Sequence, residues 1–201
     1  MADTPEDPKK PAAAPGGPAP ESKPPAAPAK PRIDPVEEAL RREVPSAPLS
    51  AMKAALPEAV LEVTHYARET TVVVPAERIV EIVRFLHGDE RCRLDLLADL
   101  TAVDWPKRDK RFDVVYHLYS VPLNHRLRVK VRVADQETVP SITSIHHAAE
   151  WHEREVFDLF GISFTDHPDL RRILLPDDWK GHPLRKEYPL EGFPDQHIRL
   201  R

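Results

Sequence analysis

Cysteine and glycine are scarce in this chain, and each scarcity excludes a class of function. Cys92 is the one cysteine among 201 residues, so the chain itself can form no internal disulfide, no four-thiolate zinc site and no cysteine-ligated iron–sulfur cluster. Glycine occurs only six times, and none of these positions builds a phosphate-binding loop or a nucleophile elbow. Catalysis by this chain alone is therefore not expected.

Long apolar runs are also lacking. Without a stretch of about 18 apolar residues, no membrane-spanning helix is expected, and acids and prolines fill the N-terminus where a signal peptide would have an apolar core. A net charge of -4 gives no strong attraction to nucleic acid or to a membrane surface. These features predict a protein of the cytosol, or one that lies peripherally on the cytosolic side of a membrane.

Proline divides the chain into three predicted parts. Residues 1–48 hold thirteen of the 23 prolines and almost no large apolar residue, which predicts a disordered, partly polyproline-like arm. Residues 49–165 suffice for one ordinary domain. Residues 166–201 contain a proline every eight residues or less, yet they keep aromatic and aliphatic side chains that a solvated linker would not need. This last part is predicted to be an extended tail that packs against its own domain or docks on a partner.

Hydrophobic periodicity predicts an α+β domain with a small mixed β-sheet and helices packed on it. Residues 60–66 and 70–74 have the composition of two strands, and residues 75–88 the periodicity of an amphipathic helix that Gly88 ends. Residues 112–121 and 126–133 predict a hairpin. Residues 94–104 are ambiguous and favour a helical turn before a short strand. Finally, Pro140 and Ser141 suggest a helix cap before the helix near 150–160.

The second hairpin strand alternates cleanly between two kinds of side chain. Apolar residues at 127, 129, 131 and 133 alternate with Arg126, Arg128, Lys130 and Arg132, which predicts one core face and one face with four positive charges. Such a face could bind single-stranded nucleic acid, but the strand has no aromatic side chain for base stacking. A solvated or partner-facing surface is the better interpretation.

The stretch from Trp151 to Ile173 is the most informative part of the chain. Trp151 and the apolar residues 156, 157, 159 and 160 can cover one side of a helix, and Gly161 supplies the left-handed stop. Charged residues fall beside that apolar side, where an unpaired charge is costly. We therefore expect Glu153 or Glu155 to pair with Arg171 or Arg172, and Arg154 can reach Asp158 one turn along the helix.

These residues also carry a family resemblance. The run from Glu153 through Gly161, followed by His167-Pro168 and Arg171-Arg172, resembles the signature of the thirty-kilodalton subunit (the C-subunit) of respiratory complex I, the proton-pumping NADH:quinone oxidoreductase. Further similar segments bring the resemblance to roughly residues 50–192; they are residues 100–104, 126–130, 140–143 and 179–186.

The resemblance implies a function without an active site in this chain. Members of that family carry no cofactor and sit in the peripheral arm, whereas FMN, iron–sulfur clusters and quinone belong to partner subunits. It implies contacts with the forty-nine-kilodalton quinone-site subunit and with cluster-bearing neighbours, a place on the cytoplasmic face of the bacterial inner membrane, and membrane contact only through the complex. The residues expected to dock partners or hold the structure are Glu153, Arg154, Glu155, Asp158, Gly161, His167, Arg171, Arg172, Trp179, His182, Arg185 and Lys186.

Three alternatives compete with that interpretation. The equivalent subunit of a membrane-bound nickel–iron hydrogenase has a related peripheral arm. A stand-alone acid/base enzyme could use Glu153, Glu155 and a histidine, although carboxylates two residues apart point to different sides of a helix. A metal site is disfavoured because His152-Glu153 lacks a second histidine four residues after the first.

Overall fold

The structure, a computed structural model of the chain, describes residues 35–193. Most of the predicted arm, residues 1–34, and the end of the predicted tail, residues 194–201, lie outside these described residues. The fold below is therefore that of residues 35–193.

Two helices replace the last part of the predicted arm. They are α1 (Pro35–Leu40) and α2 (Ala47–Ala55). Helix α2 begins after Ser46, whose hydroxyl accepts a hydrogen bond from the backbone N–H of Leu49 at 3.3 Å. Pro48 is tolerated because a first-turn residue needs no intrahelical donor. Helix α2 therefore spans the predicted boundary at residue 48, because a serine cap and a permitted first-turn proline start a helix inside a proline-rich segment.

Five strands form the sheet. They are β1 (Glu62–Tyr66), β2 (Glu69–Val74), β3 (Leu96–Asp104), β4 (Phe112–Ser120) and β5 (His125–Val133). Their spatial order is β1-β2-β5-β4-β3, with β2 and β5 parallel and the other pairs antiparallel. The sheet is thus mixed, and the predicted α+β class is confirmed, as are the two strands predicted at 60–66 and 70–74 and the hairpin predicted at 112–121 and 126–133.

Helix α3 (Ile79–Gly88) covers the core face of this sheet, preceded by a short 3-10 turn at Ala76–Arg78. Its apolar stripe at residues 79, 82, 83 and 86 is fully buried, as the helical spacing predicts. The alternating apolar residues of β5 belong to the same hydrophobic core, and each is exposed by at most 2%. Residues 127–133 therefore follow the predicted two-faced pattern.

Two local predictions differ from the structure. Residues 96–104 form a full nine-residue strand, which pairs with β4 and has a register shift between Leu97 and Asp99. No helix begins at Ser141. Its hydroxyl instead accepts from the N–H of Thr143, and Pro140 lies in a two-residue strand. Both segments take their conformation from the strand with which they pair, β4 for residues 96–104 and β7 for Pro140. Local composition does not reveal such pairing.

The signature helix, α4 (Ala149–Phe160), packs along β3 at the edge of the sheet. The short strands β6 (Val139–Pro140) and β7 (Phe164–Thr165) pair in parallel on either side of it in sequence. Trp151 does not join the core as expected, and its side chain is 58% exposed. From Asp166 onward the described chain forms turns and irregular structure.

Candidate functional site

Helix α4 ends in a turn whose carbonyl groups are all bonded by residues that follow it in the chain. A helix leaves its last four carbonyl oxygens without intrahelical donors, and a buried polar group left unsatisfied costs about 1–3 kcal/mol. Here a segment up to 25 residues downstream supplies three of the four donors. The bonds are Gly161 N to Phe157 O (2.9 Å), His182 Nδ1 to Asp158 O (2.8 Å), Leu184 N to Leu159 O (3.0 Å) and Arg185 Nε to Phe160 O (2.6 Å).

Gly161 makes this cap possible in two ways. Its φ of 74° is the left-handed conformation that ends helices and that residues with a Cβ disfavour. A Cβ at this position would also lie 2.6 Å from the ring of His182 and 3.1 Å from Nη2 of Arg185. The predicted stop at Gly161 is confirmed, and the position also lets the tail approach the helix end.

Asp158 is the charge that fixes the tail. Its side chain is fully buried, and Oδ1 lies 2.6 Å from Nη1 of Arg172. Its other oxygen, Oδ2, accepts three backbone N–H groups in succession, from Ile173 (3.1 Å), Leu174 (2.8 Å) and Leu175 (2.9 Å). Burial alone would raise the pKa of Asp158, but these donors outweigh it and hold the pKa below its ordinary value.

The expected pairing of Glu153 or Glu155 with Arg171 or Arg172 is wrong. Arg172 binds Asp158, Arg171 has a side chain that is 70% exposed, and Glu155 is exposed. Asp158 takes the arginine because its carboxylate already holds the backbone that immediately follows Arg172. Proximity in sequence could not distinguish Asp158 from Glu153 and Glu155 as the partner of Arg172.

Arg154 does not form the predicted ion pair with Asp158. Its guanidinium donates to the carbonyls of Arg171 (3.1 Å) and Arg172 (3.0 Å), and it lies 5.4 Å from the ring of Trp151. The charge is 7% exposed and serves two backbone acceptors. Helix α4 therefore holds the same tail segment by an anion on one residue and a cation on another.

Glu153 is buried, and it forms no ion pair with a lysine or arginine among residues 35–193. Its Oε1 accepts the backbone N–H of Ile142 at 2.9 Å, whereas Oε2 has no hydrogen-bond partner within residues 35–193. Burial raises the pKa of Glu153 to about 7, opposed by hydrogen bonds from Ser141 and Ile142. A carboxyl in this setting is largely protonated below neutral pH, and it ties helix α4 to the turn after β6.

The neighbours of Glu153 are polar but neutral. The hydroxyl of Tyr116 is fully buried, and burial, with the nearby Glu153, raises its pKa. His167 Nε2 lies 4.0 Å from Oε2 of Glu153, but it donates to the carbonyl of Glu150 at 3.1 Å. Its Nδ1 accepts the N–H of Asp169 at 3.0 Å, so the ring is held as the neutral Nε2–H tautomer. His167 therefore joins α4 to the start of the tail.

A second anchor binds the tail where strand β3 ends. Nε and Nη2 of Arg111 donate to the two carboxylate oxygens of Asp104, each at 2.7 Å. Oδ2 of Asp104 also accepts the backbone N–H of Lys186 at 2.8 Å. Arg111 lowers the pKa of Asp104 and also binds Glu187. Sequence reasoning did not identify Arg111 or Glu187, because 76 residues separate them and no local spacing indicates their contact.

The remaining signature residues also take part in these contacts. Arg185 pairs with Asp135 at 3.0 Å in addition to capping α4. Trp179 contributes its backbone carbonyl, which accepts from Nη2 of Arg172 at 3.1 Å. Burial lowers the pKa of His182, which favours the neutral ring bonded to Asp158 O. Most of the twelve predicted residues thus take part in contacts among helix α4, strand β3 and the tail, whereas the side chains of Glu155 and Arg171 are exposed.

The arrangement is suited to holding structure. Glu153 is buried and Glu155 is exposed on another side of α4, so the two carboxylates share no site for acid/base chemistry. Across residues 35–193, no group of three His, Cys, Asp or Glu side chains is placed to bind a metal ion. Likewise, no helix of this part of the chain is long and apolar enough to cross a membrane.

The tail shows an unusual distribution of polar and apolar groups. Backbone groups and a few polar side chains, among them Arg172, His182 and Arg185, form the bonds to the domain described above, whereas several large apolar side chains face solvent. Their exposed fractions are 62% for Leu174, 47% for Leu184, 102% for Leu190 and 39% for Phe193. Exposed apolar groups concentrated on one segment are typical of interaction surfaces.

These features define a class: an α+β domain whose C-terminal extension is fixed by hydrogen bonds and ion pairs and presents an apolar outer side. Comparison with known proteins gives the family. A family model described as "Respiratory-chain NADH dehydrogenase, 30 Kd subunit" matches residues 72–194. The chain belongs to this family, so the expected membership is confirmed.

Relatives agree with this assignment. The chain is 51% identical over 137 residues to the NADH-quinone oxidoreductase C-subunit of Cereibacter sphaeroides, covering 68% of each protein. It is 52% identical over 125 residues to the C-subunit of the same enzyme in Ruegeria pomeroyi, covering 62% of each. These names agree with the complex I interpretation and not with the hydrogenase or acid/base alternatives.

A solved structure is also similar. One chain of the membrane-bound sulfane sulfur reductase, an archaeal respiratory membrane complex, superposes with a TM-score of 0.60 at 29% identity, covering 71% of this chain and 83% of that one. The same fold is therefore present in a second kind of respiratory membrane complex.

Proposed function

We propose that this chain is a peripheral-arm subunit of a proton-translocating NADH:quinone oxidoreductase, in which it supports assembly and carries no redox centre of its own. Membership in the 30-kDa subunit family and the names of its relatives support this role. Its single cysteine agrees with electrons passing through other subunits. FMN, the iron–sulfur clusters and quinone then belong to those partners.

The partner that we propose for the tail is the forty-nine-kilodalton quinone-site subunit, with cluster-bearing subunits nearby. The observation that carries this proposal is that the tail, although held to the domain by polar anchors, exposes four large apolar side chains: Leu174, Leu184, Leu190 and Phe193. A solvated tail gains nothing from exposing such side chains, whereas an extended segment laid across another protein buries them. The complex would sit on the cytoplasmic face of the inner membrane, with this chain reaching the membrane only through its partners.

The test must separate docking from folding. Deleting residues 176–201 would remove the donors that cap α4 and so confound the two. Replacing Leu174, Leu184 and Leu190 by Ser together changes only side chains that are at least 47% exposed. We expect the isolated chain to keep its stability within about 0.5 kcal/mol, as is usual for surface substitutions, while recovery of the whole complex on the tagged chain falls sharply.

The matched control replaces three exposed apolar residues far from the tail, Leu61, Val121 and Leu123, by Ser. It should assemble like the wild type. Normal assembly of the tail variant would show that the docking role is wrong. Unfolding of the isolated tail variant would show instead that these side chains belong to the domain's own core.

A further inference from the structure

The loop of residues 105–111 between β3 and β4 holds an exposed tryptophan in a fixed position. The ring of Trp105 is 42% exposed, yet its Nε1 donates to Oδ2 of Asp113 at 3.1 Å. The guanidinium of Arg108 stacks over the same ring, 4.3 Å from its centroid. Two interactions thus restrain a large side chain that remains partly open to solvent. Such pre-organisation lowers the entropic cost of binding a partner.

Positive charge surrounds this ring in excess. Asp113 is almost fully buried, and three cations lie within 4 Å of its carboxylate: Arg108 at 3.4 Å, and Lys130 and Arg132 at 3.8 Å each. Glu62 pairs with Arg132 at 2.7 Å. Two carboxylates therefore face three cations before the rest of the loop is considered.

The loop itself adds to the excess. Lys107 and Lys110 are both exposed, and neither forms an ion pair or hydrogen bond with any residue that the structure describes. Asp109 is the one acid of the loop, and together with Arg108, Lys110 and Arg132 it lines a shallow cleft. The surface around Trp105 and this cleft would therefore attract an anionic partner.

We propose that the Trp105 patch, formed by Trp105, Lys107, Arg108, Lys110 and Arg132, binds an acidic segment of a neighbouring subunit of the complex. The inference rests on the proposed function, which supplies the neighbour.

The position of the patch, as well as its charge, supports a role in binding. The loop is joined to the tail through Arg111, which binds both Asp104 and Glu187, so the patch borders the segment that we propose as a docking surface. Tryptophan and arginine are enriched where interfaces gain most of their binding energy. One partner surface could therefore cover the tail and reach the Trp105 patch.

The test reverses the two lysines that contact nothing in the described part of the chain. Lys107→Glu with Lys110→Glu, introduced into the full-length tagged chain, should lower recovery of the complex about tenfold, because like charges then face each other across the interface. The loss should shrink at high salt, which screens exposed charges. Lys53→Glu with Arg84→Glu is the matched control, since both residues are exposed cations on helices away from the patch. It should assemble normally.

Photo-crosslinking identifies the occupant. A benzophenone amino acid at position 107 should give an adduct with an acidic peptide of a neighbouring subunit, and the same probe at position 53 should not. Equal assembly of the Lys107/Lys110 variant and the control would overturn the proposal. So would binding of the isolated chain to phosphatidylglycerol vesicles that depends on these lysines, which would assign the patch to a membrane. Failure of the wild-type chain to co-purify with any complex would instead refute the proposed function.

Discussion

Replacing Glu153 by Gln should change how the stability of the isolated chain depends on pH. The side chain is fully buried, and its Oε1 accepts the N–H of Ile142. Glutamine keeps the shape and this acceptor but cannot ionise. Since burial raises the pKa of Glu153 from its ordinary 4.5 to about 7, the folded protein holds this proton more tightly than the unfolded chain does.

This difference in pKa sets the direction in which stability changes with pH. Below about pH 4.5 the carboxyl is protonated in both states, and stability is greatest. As the pH rises toward 7, the unfolded chain releases the proton first, so the free energy of unfolding of the wild type falls. Each pKa unit is worth about 1.4 kcal/mol, and the full loss is therefore roughly 3 kcal/mol once the pH exceeds about 7. The Glu153→Gln variant lacks this loss.

Urea unfolding of both chains at about pH 5 and about pH 8 measures the effect. We expect the variant to gain roughly 2–3 kcal/mol on the wild type between the two pH values, because other titrating groups contribute equally to both chains. Glu155→Gln, at an exposed position of the same helix, keeps Glu153, so its stability difference from the wild type should be nearly the same at both pH values. An equal stability difference between Glu153→Gln and wild type at both pH values would mean that Glu153 is ionised and compensated in the folded protein.

Two further substitutions test the helix end by urea unfolding. Asp158→Asn leaves the partly buried guanidinium of Arg172 without its counter-charge, so we expect a loss of about 3 kcal/mol, and a loss below about 1 kcal/mol would mean that solvent reaches the pair. Gly161→Ala places a Cβ 2.6 Å from His182 at positive φ and should lose at least about 1–2 kcal/mol. Gly88→Ala, with no heavy atom within 4 Å of the new Cβ, should be neutral or stabilising, and equal losses at both glycines would refute the role given to Gly161.

The site shows how far sequence reasoning reaches on a single helix. Periodicity identified α3 and the strands of the two antiparallel pairs. The clustering of charge after Trp151 identified the helix that holds the tail. The sequence did not identify the groups that bind each carboxylate. Glu153 and Asp158 are both buried on α4, and they differ in the groups that surround them. Asp158 meets three N–H groups and Arg172, whereas Glu153 meets one N–H and neutral side chains.

The sequence by itself determined the local structure that depends on short-range spacing: the amphipathic helix, the alternating strand, the stop at Gly161 and the family to which the signature belongs. Tertiary structure decided every contact that joins distant parts of the chain, including the bond between Arg111 and Glu187, 76 residues apart. It also decided that Arg172, His182 and Arg185 bond to helix α4, while Leu174, Leu184 and Leu190 face solvent. The physical reason is that ion pairs and helix caps depend on which backbone passes nearby, and the packing of the whole sheet fixes that path.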